Sequence, residues 1–290
     1  MLNTIKGKTL TEVQPNTRYM GCSFYLERII ESNFDNVEFD NCSFRGKRLS
    51  FEILKKNISE MPKWLFNITT IQSIDMCNNK IEKIPKEIAN LSSLESLHLS
   101  GNRITEIPKE IASLSLLREL DLEYNGISEI PKEMANLSSL ETLKLSLNRI
   151  NKIPKEIGKL SSLRHLHLVK NRISEIPEEI GNLSSLKTLN LSSNNIRSIP
   201  KEIKNLSLLK VLRLADNLIH YIPKEIGCLL SLQTLVLEYN EIQEIPKEIE
   251  NLSLLRSLRL ENNEIRKIPK EIEAMSSLNL YLKDNLGEYQ

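Results

Sequence analysis

The chain has 290 residues, and its 39 Lys and Arg residues almost balance its 38 Asp and Glu residues, for a net charge of +1. This balance argues against a nucleic-acid-binding protein, which needs a basic face, and no apolar run reaches the roughly 18 residues of a membrane span. The first residues, MLNTIK, do not open an apolar run of signal-peptide length, and four scattered cysteines do not make a disulfide framework. We therefore expect a soluble, cytoplasmic protein without nucleic-acid or membrane partners.

A five-residue period begins at Thr17. Its large residues are Tyr19, Phe24, Ile29, Phe34, Phe39 and Phe44, and the residues two places before them are Thr17, Cys22, Glu27, Ser32, Val37 and Cys42. Apart from Glu27, the second set is small. This pattern resembles the pentapeptide repeat, a four-sided β-helix, and the alternative is an irregular segment with coincidental aromatics. If the resemblance holds, Cys22 and Cys42 lie one coil apart, with Cα atoms about 5 Å from each other.

A second period, of 23 residues, occupies most of the remaining chain. An asparagine recurs at Asn79, Asn102, Asn125, Asn148, Asn171, Asn194, Asn217, Asn240 and Asn263, and a proline at Pro62, Pro85, Pro108, Pro131, Pro154, Pro177, Pro200, Pro223, Pro246 and Pro269. A fixed period of this length is typical of a solenoid, in which each repeat forms one coil. Terminal units must cover the open end of such an array, so we expect residues 1–46 to be an N-terminal cap.

Each repeat carries two hydrophobic patterns. Leu120 and Leu122 alternate with acidic residues, which predicts a strand with one face buried. Ile107 and Ile111 are four residues apart and predict a short helical turn, for which Pro108 is a suitable start. The recurring asparagine follows the strand, where its amide can satisfy backbone groups that a turning loop leaves unpaired. Stacked asparagines would then form a ladder.

The combined pattern, L-x-x-L-x-L-x-x-N-x-I-x-x-I-P-x-x-I-x-x-L over roughly residues 47–286, resembles the leucine-rich repeat. Its Ile-Pro-x-x-Ile variant is similar to the 23-residue intracellular and bacterial class. The resemblance implies an α/β fold: a right-handed curved solenoid, or horseshoe, with a parallel β-sheet on the concave face and short helical turns on the convex face. Residues 47–290 would form about ten units. The final strand is expected to be an open edge that could support a homodimer.

Residues for catalysis are sparse in this pattern. His165 and His167 point the same way on one predicted strand, but no nearby carboxylate or thiol completes a zinc site. Cys77 lacks the basic neighbour that would make it a reactive thiolate. No glycine-rich phosphate loop occurs. We therefore expect no enzyme and no cofactor or metal; a metal-dependent enzyme using the two histidines is the alternative.

The strand positions that face solvent differ from repeat to repeat, as expected of a surface shaped for one partner. Residues unusual for a solvated sheet, or giving it a local charge, are His98, Asp121, Tyr124, Lys144, Leu147, His167, Val169, Arg213, Val236, Tyr239 and Arg259. We expect a protein or helix to dock there, anchored at Tyr124 and Tyr239 and oriented by Arg213. Arg213 and Arg259 would make the C-terminal half basic. A polar sheet with a few apolar residues by chance is the alternative.

The sequence thus predicts a non-catalytic protein-interaction scaffold. The resemblance implies a small GTPase, a kinase or a host protein as partner classes. A secreted or host-injected effector is a second possibility, and glycans at Asn90 or Asn136, which lie in N-x-S motifs, would favour it. We expect these motifs to reflect repeat composition in an unglycosylated protein.

Overall fold

The computed structural model describes residues 3–11, 13–14, 16–25, 28–30, 37–40, 42–45 and 49–286. It divides the chain into two compact units, Met1–Gly126 and Ile127–Gln290. Of the five-residue pattern, Glu27, Ser32 and Phe34 lie outside the described residues.

The N-terminal part of the first unit consists of short strands. They are β1 (Asn3–Lys6), β2 (Thr9–Leu10), β3 (Thr17–Met20), β4 (Ser23–Tyr25), β5 (Arg28–Ile30), β6 (Glu38–Asp40) and β7 (Ser43–Arg45). Two parallel three-stranded sheets form, in the orders β1-β3-β6 and β2-β4-β7. Tyr19 pairs with Phe39 and Phe24 with Phe44, so residues 20 positions apart in sequence lie side by side.

The rest of the first unit alternates strands with 3₁₀ helices. The strands are β8 (Ser50–Glu52), β9 (Ser73–Asp75), β10 (Ser96–His98) and β11 (Glu119–Asp121), and the 3₁₀ helices span Lys63–Asn67, Lys86–Asn90 and Lys109–Ser113. All pair in parallel, and β5 pairs with β8. The five-residue segment therefore supplies the first strand of this sheet.

The second unit repeats the same arrangement. Its strands are β12 (Thr142–Lys144), β13 (His165–His167), β14 (Thr188–Asn190), β15 (Val211–Arg213), β16 (Thr234–Val236), β17 (Ser257–Arg259) and β18 (Asn279–Tyr281). They pair in chain order, all parallel. Its 3₁₀ helices span Lys132–Asn136, Lys155–Lys159, Glu178–Asn182, Lys201–Asn205, Lys224–Cys228 and Lys247–Asn251, and an α-helix, α1, spans Lys270–Glu273.

Both units are thus built as leucine-rich repeat solenoids, as the sequence predicts. The register joins equivalent residues of successive repeats, such as Leu97 with Leu120, and the leucines and isoleucines of the pattern are almost all fully buried. The recurring prolines from Pro85 to Pro246 each have an extended conformation directly before a 3₁₀ helix, and Pro269 has one before α1; Pro154, for example, has φ −66° and ψ 143°. No helix in the described parts of the chain is long and apolar enough to span a membrane.

The predicted asparagine ladder is confirmed. Asn217 is 6% exposed, and its Oδ1 accepts a hydrogen bond of 3.0 Å from the backbone N–H of Ile196 in the preceding repeat. Its Nδ2 donates to the carbonyls of Leu191 and Leu214, each at 3.1 Å. Since the same bonds recur from Asn79 to Asn285, each asparagine ties its own coil to the one before it.

Candidate interaction surfaces

Each strand from β8 to β17 buries its middle residue and directs the other two to the opposite face of the sheet. We define the sheet face of a unit as these outward residues together with the two residues before each ladder asparagine. For β10 these are Ser96, His98, Ser100 and Gly101. Equivalent positions recur every 23 residues, so the sheet face contains every site residue predicted from the sequence.

The position directly before each ladder asparagine has a left-handed backbone. It is occupied by Asn78, Gly101, Tyr124, Leu147, Lys170, Ser193, Asp216, Tyr239 and Asn262, with φ between 53° and 69°. This conformation suits Gly, Asn and Asp, and costs other residues roughly 1–2 kcal/mol. The sequence shows that this column is variable but not that it is strained. The Gly, Asn and Asp residues in this column, such as Gly101 and Asp216, are the sequence feature that could have indicated the left-handed conformation.

Tyr124 and Tyr239 therefore occupy an unfavourable conformation, and both side chains face solvent, with exposed fractions of 60% and 57%. Leu147, in the same column, is half-buried. Neither tyrosine contributes to the buried core. Folding alone does not account for a large aromatic residue at such a position.

The sheet face of the first unit is rich in carboxylates. Glu52, Asp75, His98 and Asp121 follow one another across β8 to β11. His98 Nε2 lies 3.6 Å from Glu119 Oε2. Three carboxylates and one histidine therefore occupy this row of the first unit's sheet face.

Cys77 lies on the same face but has an unreactive environment. Burial raises the pKa of its thiol to about 11, and Ser100 Oγ donates a 3.3 Å hydrogen bond to its sulfur. The thiol is therefore protonated near neutral pH, as the sequence predicted, and is a poor nucleophile.

On the second unit, His165 pairs with Thr142 and Thr188, and His167 with Lys144 and Asn190. Burial, followed by the positive charges of Lys187 and Arg164, lowers the pKa of His165. Within the described residues no three His, Cys, Asp or Glu side chains are grouped to hold a metal. Val169, two residues after His167 on the same sheet face, is half-buried.

Arg259 was expected to make the sheet face of the C-terminal half basic, but its guanidinium lies beside two carboxylates. Its Nη2 lies 2.7 Å from Glu238 Oε2 and 3.1 Å from Glu261 Oε1, and its guanidinium lies 5.7 Å from the ring centre of Tyr281. The hydrogen bond to Glu261 contributes most to a raised pKa of Arg259. The prediction that Arg213 and Arg259 together make this face basic is wrong for Arg259, because two carboxylates neutralise it.

Val236 also differs, since it is only 4% exposed. The register places Arg213 on one side of it and Arg259 on the other, and long arginine stems cover short apolar neighbours. Val236 therefore offers a partner little apolar surface. Arg213, by contrast, is exposed, and its side chain has no hydrogen bond or ion pair within the part of the chain that the structure describes.

The cavities lie beside the proline-marked turns. One of about 600 Å³ is lined by residues including Lys152, Pro154 and Glu175, and another, of about 630 Å³, by residues including Met61 and Phe66. Neither contains a residue of the sheet face. These two cavities are therefore separate from the sheet face.

Comparison with known proteins supports this architecture. Two family models match: "Leucine rich repeat" over residues 69–127 and 115–173, and "Leucine-rich repeat region" over residues 155–235 and 201–285. Together they cover residues 69–285 without a gap. No curated protein matches the chain.

Among solved structures, a leucine-rich repeat protein of Leptospira interrogans is similar, with a TM-score of 0.77 and 34% identity over 86% of this chain and 62% of that one. The ectodomain of a plant membrane receptor kinase from Arabidopsis thaliana, in complex with Casparian strip integrity factor 2, gives a TM-score of 0.66 and 28% identity over 94% and 38% of the two chains. An internalin from Listeria monocytogenes, at 23% identity and a TM-score of 0.56 over 83% and 82%, shares the fold. The chain thus spans less than two thirds of the first two proteins.

Proposed function

Because this chain belongs to the leucine-rich repeat proteins, a fold that commonly serves as an interaction scaffold, we propose that it binds a protein partner on its sheet face without catalysis. The observation that carries the proposal is the pair Arg213 and Tyr239 on the second unit. Arg213 lies on β15 and is exposed, and its side chain has no hydrogen bond or ion pair within the described residues. Tyr239 follows the adjacent strand, β16, and is 57% exposed in a strained conformation.

These two residue types are those that most often dominate binding energy at protein interfaces. Tyrosine offers a large, rigid contact area at low entropic cost, and a free guanidinium binds carboxylates through two hydrogen bonds. Arg259 is already satisfied by Glu238 and Glu261. The anchors on this unit are therefore Tyr239 and Arg213, and the partner presents a carboxylate to Arg213.

On the first unit, Tyr124 is the corresponding aromatic anchor, and its surroundings have the opposite charge. Glu119 and Asp121 lie on the strand that precedes it. A partner that uses this face would present basic groups. The receptor kinase ectodomain, which carries its ligand in the solved complex, supports a protein or peptide partner here as well.

The test is capture from a native lysate with the wild-type chain, followed by titration of the captured protein, once purified, against single variants. We expect Tyr239→Ala and Arg213→Glu each to weaken binding by about tenfold or more. Tyr221→Ala is the matched control, because Tyr221 is 56% exposed but lies outside the sheet face. Equal loss with Tyr221→Ala, or no loss with the two sheet-face variants, would reject the site.

We also propose that the protein works in the cytoplasm. Cys22, Cys42, Cys77 and Cys228 are all free thiols, which suits a reducing compartment. The effector alternative remains testable, because Asn90 and Asn136 are exposed and could accept glycans or face another cell's proteins. A secretion assay that recovers the chain outside its own cell would replace the cytoplasmic proposal.

The class of the repeats and of the N-terminal segment completes the proposal. We assign the repeats to the 23-residue Ile-Pro-x-x-Ile class, and residues 1–46 to a pentapeptide-like cap, with residues 47–290 as the repeat domain. The 20-residue offset between the paired residues Tyr19 and Phe39 supports four pentapeptides per coil. An experimental structure with Cys22 and Cys42 Cα atoms more than about 10 Å apart, twice a strand spacing, would reject the cap assignment.

Self-association through β18 stays a prediction. Its outward residue Tyr281 is 46% exposed and Leu286 is 61% exposed. Light scattering that shows a monomer at high concentration would dismiss a homodimer.

A further inference from the structure

In the second unit, exposed leucines occur in the loops that directly precede the strands. We call the loops at residues 182–187, 205–210, 228–233 and 251–256 the entry edge. In four repeats the corresponding residues, 91–94, 137–140, 160–163 and 183–186, read Leu-Ser-Ser-Leu, with the first serine exposed and the second half-exposed. In the entry edge, Leu208, Leu230 and Leu254 replace a serine, and their exposed fractions are 47%, 60% and 50%. An exposed leucine in place of serine at three of four successive loops is not required by the core.

The entry edge is also basic. Lys187, Lys210 and Arg256 occupy its last position, and none of the four loops contains Asp or Glu. Backbone hydrogen bonds stack this position from repeat to repeat, from Lys210 N–H to the Lys187 carbonyl and from Gln233 N–H to the Lys210 carbonyl, both 2.9 Å. The bond from Arg256 N–H to the Gln233 carbonyl has the same length. Lys187, Lys210 and Arg256 therefore occupy equivalent stacked positions, with Gln233 between the last two.

These cations are available to a partner. Lys210 and Arg256 are exposed and Lys187 is half-exposed. Their side chains make no ion pair within the described residues. Arg164, the preceding residue of the row, is instead paired with Glu141 at 3.4 Å. An exposed leucine and a cation without an ion pair thus occur together on two of the four loops, 205–210 and 251–256, and singly on the other two.

The spacing along the edge suits a helix. Neighbouring strands are about 4.8 Å apart, so Leu208 and Leu254, which hold the same position two repeats apart, are separated by about 10 Å. An α-helix advances 5.4 Å per turn, and residues seven apart lie on one face about 10 Å from each other. A helix laid along the edge would place successive apolar turns against successive repeats, with its flanking residues beside the cations.

We propose that the entry edge of the second unit binds an acidic amphipathic α-helix of a protein partner. Leucines of the helix pack on Leu208, Leu230 and Leu254, and its Asp or Glu residues pair with Lys187, Lys210 and Arg256. An anionic membrane surface fits less well. About half of each leucine is already covered by the protein, whereas membrane-bound helices bury their apolar face roughly 5–10 Å deep. This surface is separate from the sheet face and does not depend on the function proposed for it.

The probe is a synthetic peptide of about 20 residues, long enough to form helix, with leucines at helical spacing and glutamates beside them. Fluorescence anisotropy against the full chain should show binding that weakens as salt rises. The variant Leu208→Ser, Leu230→Ser and Leu254→Ser should weaken it by about tenfold or more. Serine is the residue that other repeats carry at these positions, so the fold should persist, and an unchanged urea midpoint would verify this.

Further variants separate this proposal from its rivals. Lys187→Glu with Lys210→Glu and Arg256→Glu should abolish binding of the glutamate peptide and favour a lysine-substituted peptide instead. Leu116→Ser, an equally exposed leucine in the first unit, and Tyr239→Ala should leave peptide binding unchanged. No binding by the wild-type chain, or equal binding by the serine variant, would overturn the proposal. Loss of phosphatidylserine vesicle binding in the same variants, without peptide binding, would assign the edge to a membrane instead.

Discussion

The sheet faces of the two units have the same backbone conformation but differ in their outward side chains. Across β8 to β11 four of the eight outward strand residues are carboxylates. Across β12 to β18 they include Arg213, which has no ion pair within the described residues, a neutralised Arg259 and Tyr281. The same asparagine bonds support both faces. In this protein the repeat determines the backbone conformation, and the side chains between the recurring leucines determine the chemistry of the surface.

If the interior is common to both units, removing a ladder asparagine should cost the same in each. We expect Asn102→Ala and Asn217→Ala each to lower the free energy of unfolding by about 2–4 kcal/mol, because a backbone N–H and two carbonyls lose their partners. Urea denaturation followed by circular dichroism measures this. Asn190→Ala, on the sheet face, should change it by about 0.5 kcal/mol or less. A large difference between the two ladder variants would show that the interiors are not equivalent.

The second unit has a packing constraint at its turns. A Cβ added at Gly181 would clash with the carbonyl oxygen of Glu202, and Gly158 and Gly227 have the same close contact with the carbonyls of Glu179 and Glu248. Gly181→Ala should therefore destabilise the protein by about 1–3 kcal/mol through overpacking, measured by the urea midpoint.

Gly126→Ala is its matched control in the first unit, since the nearest atom there would be 3.5 Å away. It should leave stability unchanged or raise it by about 0.4–1 kcal/mol, because alanine restricts the unfolded chain. Equal destabilisation by both substitutions would show that close approach at the turn is not the cause.

The residues with positive φ directly before the ladder asparagines should respond to substitution in the same way in both units. Tyr124→Gly and Tyr239→Gly should each be about 1 kcal/mol more stable than the corresponding alanine variants, because glycine adopts positive φ without a steric penalty. Partner binding should fall equally in the glycine and alanine variants, since both lack the ring. A glycine variant that is no more stable than alanine would mean that these positions carry no strain.

The smallest expected effect comes from His165, whose pKa burial and neighbouring cations lower. Below the unfolded-state pKa of about 6.5, the unfolded chain binds more protons at this site than the folded chain. Stability is therefore fully retained above that pH and falls as pH drops toward the folded pKa. His165→Gln should flatten the dependence of the urea midpoint on pH in this window, and an unchanged slope would contradict this reading of its environment.

Periodicity explains which features could be predicted. The 23-residue recurrence identified the strands, the turns and the hydrogen-bonding role of Asn217, because each of these depends on a position within the repeat. The sheet face followed from the alternation of buried and outward residues in the strand. The left-handed conformation of Tyr239 was missed, because its column mixes favourable residues with unfavourable ones.

The sequence by itself determined the conformation of the coil. The repeated apolar positions are buried when the repeats stack, and the recurring asparagine supplies the hydrogen bonds that the turn after each strand requires. What only the tertiary structure decided is how the variable side chains of adjacent coils affect one another. Glu238 and Arg259 belong to different repeats, and so do Val236 and the arginines that flank it. Neutralisation of Arg259 and burial of Val236 arise from these contacts. A pattern within one repeat contains no information about side-chain conformations in the next, and the charge and exposure of the surface depend on both.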